Sequence, residues 1–375
     1  MYRLDNKAFT DKTPSQYFQV VGSNGSYFLN QSPVINFSDQ VGFGIATYDQ
    51  QLAGGNKNGV YSIELFLDCK QIHSSALERF EFEHSRAINS HIDYPALLLY
   101  KRTVQKSFVE PGNPLTIYKG LEKNGLISFT DDSVHDMQYL IKDIKGNTST
   151  LNFKIKRNAQ STISVKDEKG VKLFRYTDST NYTTENIKIA IPRGTLYNDI
   201  NLQYSISNRP ANAYSAIHTI HNRFIPVHKN YHLWIKPDIA LPNHLKDKAV
   251  IIDSRGIYQG GIFESGYIKA MPKTFGSFHI RVDTIAPIIR PINISDDKSM
   301  VGISKIVLKL SDNLSGIRTF RGTIDGHWVL FEYDLKTSTL WHTFEDDLAP
   351  GKHNLQFVAT DMKMNTRTFN ATFYK

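Results

Sequence analysis

Ile306-Val307-Leu308-Lys309-Leu310-Ser311-Asp312 leads to Ser315-Gly316-Ile317, then to Thr323-Ile324-Asp325-Gly326-His327-Trp328. The stretch closes on Val358-Ala359-Thr360-Asp361-Met362-Lys363-Met364-Asn365. Apolar residues at every second position mark half-buried strands, and Asp, Gly and Asn between them mark turns. The same order of signals occurs near the start. Val41-Gly42-Phe43-Gly44-Ile45-Ala46-Thr47-Tyr48-Asp49 leads to Asn58-Gly59-Val60-Tyr61-Ser62-Ile63 and Phe66-Leu67-Asp68-Cys69-Lys70, and Leu140-Ile141-Lys142-Asp143-Ile144-Lys145-Gly146-Asn147 closes it. Each copy reads as a strand with an Asp turn, a Gly-led strand, an Asp-containing hairpin, and a last hairpin with an Asp-x-x-x-Asn turn. Asp and Asn suit such turns because their side chains bond nearby backbone and tolerate left-handed conformations. A repeat of this kind predicts two immunoglobulin-like sandwiches, each of two sheets packed face to face.

The early copy is longer. Its stretch from Asp49 to Asp143 exceeds that from Asp312 to Asp361 by 45 residues, placing an insertion at about 73–120. A helix is expected within it around Ser85 to Lys101, with Ile88, Ile92, Leu97 and Leu98 as an apolar stripe and Pro95 limiting its length. The insertion can serve as a docking surface, mixing those apolar residues with Arg86, Lys101, Arg102 and Lys106, or it can pack on its neighbours. Between the copies lies a different β unit, with Ile187-Lys188-Ile189-Ala190-Ile191, His232-Leu233-Trp234-Ile235 and Phe275-Gly276-Ser277-Phe278-His279-Ile280. Pro287 and Pro291 predict an extended linker after it. The expected architecture is all-β: three consecutive β-sandwich domains at 1–157, 158–284 and 285–375. The first and third are immunoglobulin-like, and the first carries the partly helical insertion.

Composition agrees with strands, since 22 Phe and 19 Tyr favour pleated surfaces. The net charge of +8 is mild for 375 residues, and no dense basic run or recognition motif accompanies it, so nucleic-acid binding is not expected. A single cysteine, Cys69, rules out an intrachain disulfide and a Cys-based zinc site; a small buried thiol is the expected role. No apolar run is long enough to span a bilayer as a helix. Met1-Tyr2-Arg3-Leu4-Asp5 carries no apolar signal core, so no export route is read from the chain as given.

Catalytic and metal-binding patterns are absent from the sequence. His218, His221, His228 and His232 form the densest histidine cluster, without the Glu of a His-Glu-x-x-His zinc helix. On a strand, residues three apart face opposite ways, so surface or hydrogen-bonded histidines are expected. His84, His91 and Asp93 offer no complete ligand set. Gly22-Ser23-Asn24-Gly25-Ser26 reads as a hairpin rather than a nucleophile elbow. The acid pairs Asp131-Asp132, Asp296-Asp297 and Asp346-Asp347 fall in polar turn-like stretches. Trp234, Trp328 and Trp341 are candidate sugar platforms, but Trp234 and Trp328 sit within strands, where core packing is the expectation. No catalytic, cofactor-binding or metal-ligating residue is therefore assigned.

Several ordered runs carry a resemblance. Phe43-Gly44-Ile45-Ala46, Asn58-Gly59-Val60-Tyr61-Ser62-Ile63-Glu64-Leu65, Ile88-Asn89-Ser90-His91-Ile92-Asp93-Tyr94 and Lys106-Ser107-Phe108-Val109-Glu110-Pro111-Gly112-Asn113 are followed by Pro226-Val227-His228, Ser315-Gly316-Ile317 and Ile324-Asp325-Gly326. Together they resemble the C-terminal, non-catalytic region of lysostaphin-type (LytM-type) peptidoglycan metallopeptidases of Bacteroidota-type bacteria. The family's zinc site needs a His-x-His segment, which this sequence lacks, so no catalytic residue carries over. The resemblance implies the accessory portion, separated from a zinc-bearing peptidase domain as a fragment or a separately encoded half. It implies docking or cell-wall targeting in the periplasm or outer cell envelope, with an envelope protein or peptidoglycan as partner and no cofactor of its own. Cys69 and Met364 stand where that family tends to have turn glycines. A free-standing adhesin or carbohydrate-binding β-sandwich protein is the alternative.

Overall fold

The computed structural model describes residues 1–31, 33–50, 55, 57–79, 81–158, 169–345 and 348–375. The protein is all-β, three β-sandwiches in succession, and each has its own cluster of buried apolar side chains.

In the first sandwich, the large sheet runs in the order Tyr118–Lys119, Lys70–Ala76, Ser62–Leu67, Val134–Lys142, Thr148–Arg157, Ser26–Leu29 and Val20–Ser23, with Val34–Phe37 also paired to Thr148–Arg157. The opposing layer holds Tyr2–Arg3, Gln40–Gly42 and Ile127–Ser128. Phe37, Leu65, Met137, Tyr139 and Ile155 fill the space between them. The Gly22 to Ser26 stretch is a hairpin, as expected, with Asn24 and Gly25 both at positive φ.

The middle sandwich has two five-stranded sheets. One runs Thr180–Thr183, Ile187–Ile191, His232–Ile235, Tyr267–Ala270, Ile262–Glu264; the other runs Tyr204–Ser207, Ile217–Ile220, Gly276–Val282, Ala249–Asp253, Tyr258–Gly260. The alternation of Ile187, Ile189 and Ile191 sends all three inward, against Leu233, Ile251 and Phe278.

The third sandwich packs Ile288–Pro291, Lys305–Ser311, Thr339–Thr343 and Glu332–Asp334 against Lys298–Ser299, Thr366–Tyr374, Lys352–Asp361, Ile317–Ile324 and His327–Val329. Pro291 does not start a free linker. It ends an edge strand, the place in a sheet where a missing N–H is tolerated.

The repeat is visible in the turns. Asp143 Oδ1 accepts from the amides of Lys145 and Asn147, and Asp361 Oδ1 accepts from those of Lys363 and Asn365. The hairpin turns Asp68-Cys69 and Asp325-Gly326 both lie at positive φ. Cys69 is therefore exposed, contrary to expectation, because a two-residue turn points its side chains into solvent.

The single helix expected from Ser85 to Lys101 is three short pieces: a 3-10 turn Phe82–Ala87, then Ile88–His91, then Tyr94–Tyr100. Ile92 and Asp93 make the break. Ile92, extended at φ −101° and ψ 166°, ends the first run, and the Asp93 carboxylate caps the second by accepting from the Ala96 amide at 2.9 Å. Pro95 sits in the first turn of that second helix, where its missing N–H costs nothing, so it starts a helix instead of limiting one. The apolar stripe is not continuous: Ile92 is buried and Ile88 is exposed.

The insertion is packed, not free. Lys106 and Glu110 are both buried, Nζ to Oε2 at 3.3 Å. Glu110 also accepts from Ser90 Oγ and, at 2.9 Å, from Asn198 Nδ2 of the middle sandwich. Arg86 donates to the carbonyls of Val227, at 2.8 Å, and Lys273. Ala87, Leu115, Ile117 and Tyr197 close an apolar cluster between the two sandwiches. The basic residues read as a docking surface are in part structural.

Candidate functional site: the outward tryptophans

The three tryptophans do not lie in cores. Leu233 and Ile235 are buried, so Trp234 between them must face out, and Leu340 and His342 place Trp341 outward in the same way. Trp328 lies on the edge strand His327–Val329 and is 59% exposed. The expectation of core packing for Trp234 and Trp328 is overturned. A buried alternate on each side of Trp234 was the signal in the sequence that pointed outward.

Trp328 has the most open setting. Cross-strand register places it beside Thr323, which lies beside Gln356, which lies beside Asn370. This row runs straight across the outer face of the five-stranded sheet. Register holds it there: Ile324, Phe357 and Ala371 are buried alternates, so Thr323, Gln356 and Asn370 project to solvent. Arg321 and the exposed Leu330 flank the row. A shallow groove of about 510 Å³ is lined by Thr323, Gln356, Asn370, Asn354, Thr372 and Asp296. The row presents one flat π-face, one hydroxyl and two carboxamides, each able to donate and accept hydrogen bonds.

Trp234 has a more cationic setting. It sits in register between Lys188 and Lys269, with Ile262 beyond. Lys269 Nζ lies 5.2 Å from the Trp234 ring centre, and His232 stacks on the same ring at 5.6 Å. Trp341 lies between Val307 and Glu332, with Lys305 Nζ at 5.8 Å.

The histidines take structural places. His218 is buried with Nδ1 2.8 Å from the Tyr204 hydroxyl, and burial lowers its pKa. His228 Nδ1 stands 3.3 Å from the Tyr197 hydroxyl, and His221 packs edge-on against Phe275. His91 is buried against the Tyr118 hydroxyl at 3.1 Å, and burial brings its pKa down to about 4. Asp93 accepts from the hydroxyls of Tyr2 and Tyr17 and does not join His84 or His91. Asp131 and Asp132 bond the Ser133 amide and Arg157, and Asp296 and Asp297 hold Thr372. Asp346 and Asp347 lie outside the described residues. Among the described residues, the one acidic group dense enough to hold a metal ion is Asp283, Asp312 and Asp361, which the sequence reading did not assemble. Among the described residues no helix is long and apolar enough to cross a membrane.

Fold and surface together define a multi-sandwich β protein with aromatic residues on its outer sheet faces. Residues 171–283 match the model of a Zu5-like domain. The uncharacterized protein YvnB of Bacillus subtilis is 31% identical over 97 residues, 26% of this chain and 7% of that protein's length. Among solved structures, the fibronectin(III)-like modules of Clostridium thermocellum CbhA align with 39% of this chain and 85% of theirs, at 10% identity and TM-score 0.20. The SGBP-B protein of a Bacteroides ovatus mixed-linkage glucan utilization locus, in complex with a heptasaccharide, aligns with 96% of this chain and 71% of its own, at 10% identity and TM-score 0.16.

Proposed function

We propose that this chain is a non-catalytic glycan-binding protein that engages a cell-envelope polysaccharide through the outer face of its third sandwich. The observation that supports it is the row Trp328, Thr323, Gln356, Asn370. A sugar ring stacks its C–H face on an indole, while its hydroxyls bond carboxamides and a hydroxyl in the plane beside it. Calorimetric titration with glycan strands released from peptidoglycan, and with a neutral β-glucan, tests the reading. Saturable heat with at least one of them is expected, weakened about tenfold by Trp328→Ala, which corresponds to ~1.4 kcal/mol. Absence of heat with both glycans would count against it.

A second reading rests on the ordered runs from Phe43 to Gly326: the chain as the positioning region of a peptidoglycan metalloendopeptidase. It places the chain in the periplasm or outer envelope, with peptidoglycan as polymer and zinc confined to a peptidase domain. Adding the chain to a purified peptidase of that family is then expected to speed hydrolysis of sacculi, and an unchanged rate would weigh against it.

A further inference from the structure

Three aspartates from distant parts of the chain converge where the middle and third sandwiches join. Asp283 follows the last strand of the middle sandwich, Gly276–Val282; Asp312 follows Lys305–Ser311; Asp361 ends Lys352–Asp361. One carboxylate oxygen from each lies within 4.8 Å of the others. Asp283 and Asp361 are buried.

Part of each carboxylate is held by backbone. Asp283 Oδ2 accepts from the Ser315 amide at 2.9 Å, and Asp312 Oδ2 from the amides of Leu314 and Gly316 at 3.0 and 2.8 Å. Asp361 accepts from Lys363 and Asn365. These bonds orient the group. Two lysines stand nearby: Lys363 Nζ donates to the Gly261 carbonyl at 2.7 Å while the Asp283 and Asp361 carboxylates act on its charge, and Lys248 Nζ donates to the Lys363 carbonyl and Asn365 Oδ1.

Two atoms in this enclosure lack any partner. Asp312 Oδ1 is buried and accepts nothing, and so is Ser315 Oγ, on a residue only 3% exposed. Ser315 lies in the turn whose amides hold Asp312, and its own amide rests on Asp283, so the residue belongs to the same junction. A buried carboxylate oxygen and a buried hydroxyl without partners each cost free energy unless something binds them. The two orphans and the convergence of the three carboxylates point to the same missing group.

We infer that Asp283, Asp312 and Asp361, with Ser315 Oγ, form a site for a hard divalent cation of the calcium type, joining the middle and third sandwiches. Every donor is oxygen, which suits calcium; zinc sites are built mainly on thiolate and imidazole ligands, and none is present in this set. Turn backbone and carboxylates make a pliable array, better matched to calcium than to the strict octahedron of magnesium. Because Asp283 belongs to one sandwich and Asp312 and Asp361 to the other, binding fixes their connection. The inference is independent of the glycan reading, as Trp328 is not part of the site.

The test uses the full chain stripped with chelator. Calorimetric titration with calcium chloride is expected to show about one site per chain, with magnesium binding more weakly. Calcium should also raise the melting temperature by several degrees, since a ligand of the folded state alone stabilises it. Asp312→Asn keeps the turn acceptor Oδ1 or Oδ2 but removes the charge; it should abolish the calcium heat and the melting shift while leaving the chelated protein at least as stable as wild type. Ser315→Ala should weaken calcium binding without unfolding. Absence of calcium heat and of any shift in the wild-type chain would overturn the inference, as would undiminished calcium binding by Asp312→Asn. Should Asp312→Asn not fold, the wild-type titration and Ser315→Ala decide alone.

Discussion

His353 Nδ1 stands 2.6 Å from Asp325 Oδ2, joining the penultimate strand of the third sandwich to the hairpin turn beside it. The same pair exists in the first sandwich, where His135 Nδ1 stands 2.7 Å from Asp68 Oδ2. In both, the other carboxylate oxygen accepts the next backbone amide, from Asn354 or Asp136. The repeat thus preserves a latch between a turn and a strand, not only an order of strands.

This latch makes stability depend on pH with a definite sign. Burial disfavours the charged His353 ring, but its bonds to Asp325 and the Ala349 carbonyl outweigh that and raise its pKa above 6.5. Its contribution is fully present below about 6.5 and is lost as pH rises through the folded value. Desolvation acts against the charged Asp325 as well, and the bonds from His353 and Asn354 override it, lowering its pKa below 3.8. That contribution is present above 3.8 and lost on acidification through the folded value. Buried histidines such as His91 and His218, whose pKa values burial lowers, contribute with the opposite sign, so the latch is read as a difference: the melting-temperature advantage of wild type over His353→Gln should shrink as pH rises from about 5.5 to 8. Equal slopes in both proteins would contradict the latch.

Lys106 and Glu110 give a sharper stability test. Glu110→Gln leaves a buried ammonium without its counter-charge, and a loss of about 3–5 kcal/mol in urea unfolding is expected. Pairing it with Lys106→Met should recover much of that loss, because neither charge of the pair then remains buried. A single-variant loss below about 1 kcal/mol would mean the insertion is not structural there.

Cys69 is held at φ 65° and Met364 at φ 61°, both left-handed and without the freedom of glycine. Cys69→Gly should stabilise the first sandwich by about 1 kcal/mol, since side chains are strained in this region. Denaturant midpoints compare the two; an unchanged or lower midpoint for the variant would contradict the strain.

Residues 286–375 contain the whole third core, including Phe331, Phe357 and Phe373. Expressed alone, this segment should melt in one cooperative transition, and Phe357→Ala should cost it about 3–5 kcal/mol. A broad transition with exposed apolar surface would show that the neighbouring sandwich is required.

Local signals read well from the sequence, and non-local ones did not. The Asp143-to-Asn147 and Asp361-to-Asn365 turns were legible because their bonds span four residues. The strands of Ile187–Ile191 and Lys305–Ser311 were legible because alternation is itself the fold's packing rule. Trp328 was misplaced because an edge strand of three residues gives too little alternation to tell inside from outside. Cys69 was misplaced because its exposure comes from turn geometry, not from its own hydropathy. Asp312 and Asp361 were read as turn residues; only the packing of two sandwiches brings Asp283 to them.

The central claim is that Trp328 is the sugar platform, and its own fluorescence reports on this most directly. In a chain carrying Trp234→Phe and Trp341→Phe, Trp328 is the remaining indole. Saturating glycan should shift its emission to the blue and shield it from a water-soluble quencher, as an exposed ring becomes covered. A glycan that binds by calorimetry while the Trp328 emission and its quenching stay unchanged would contradict the claim.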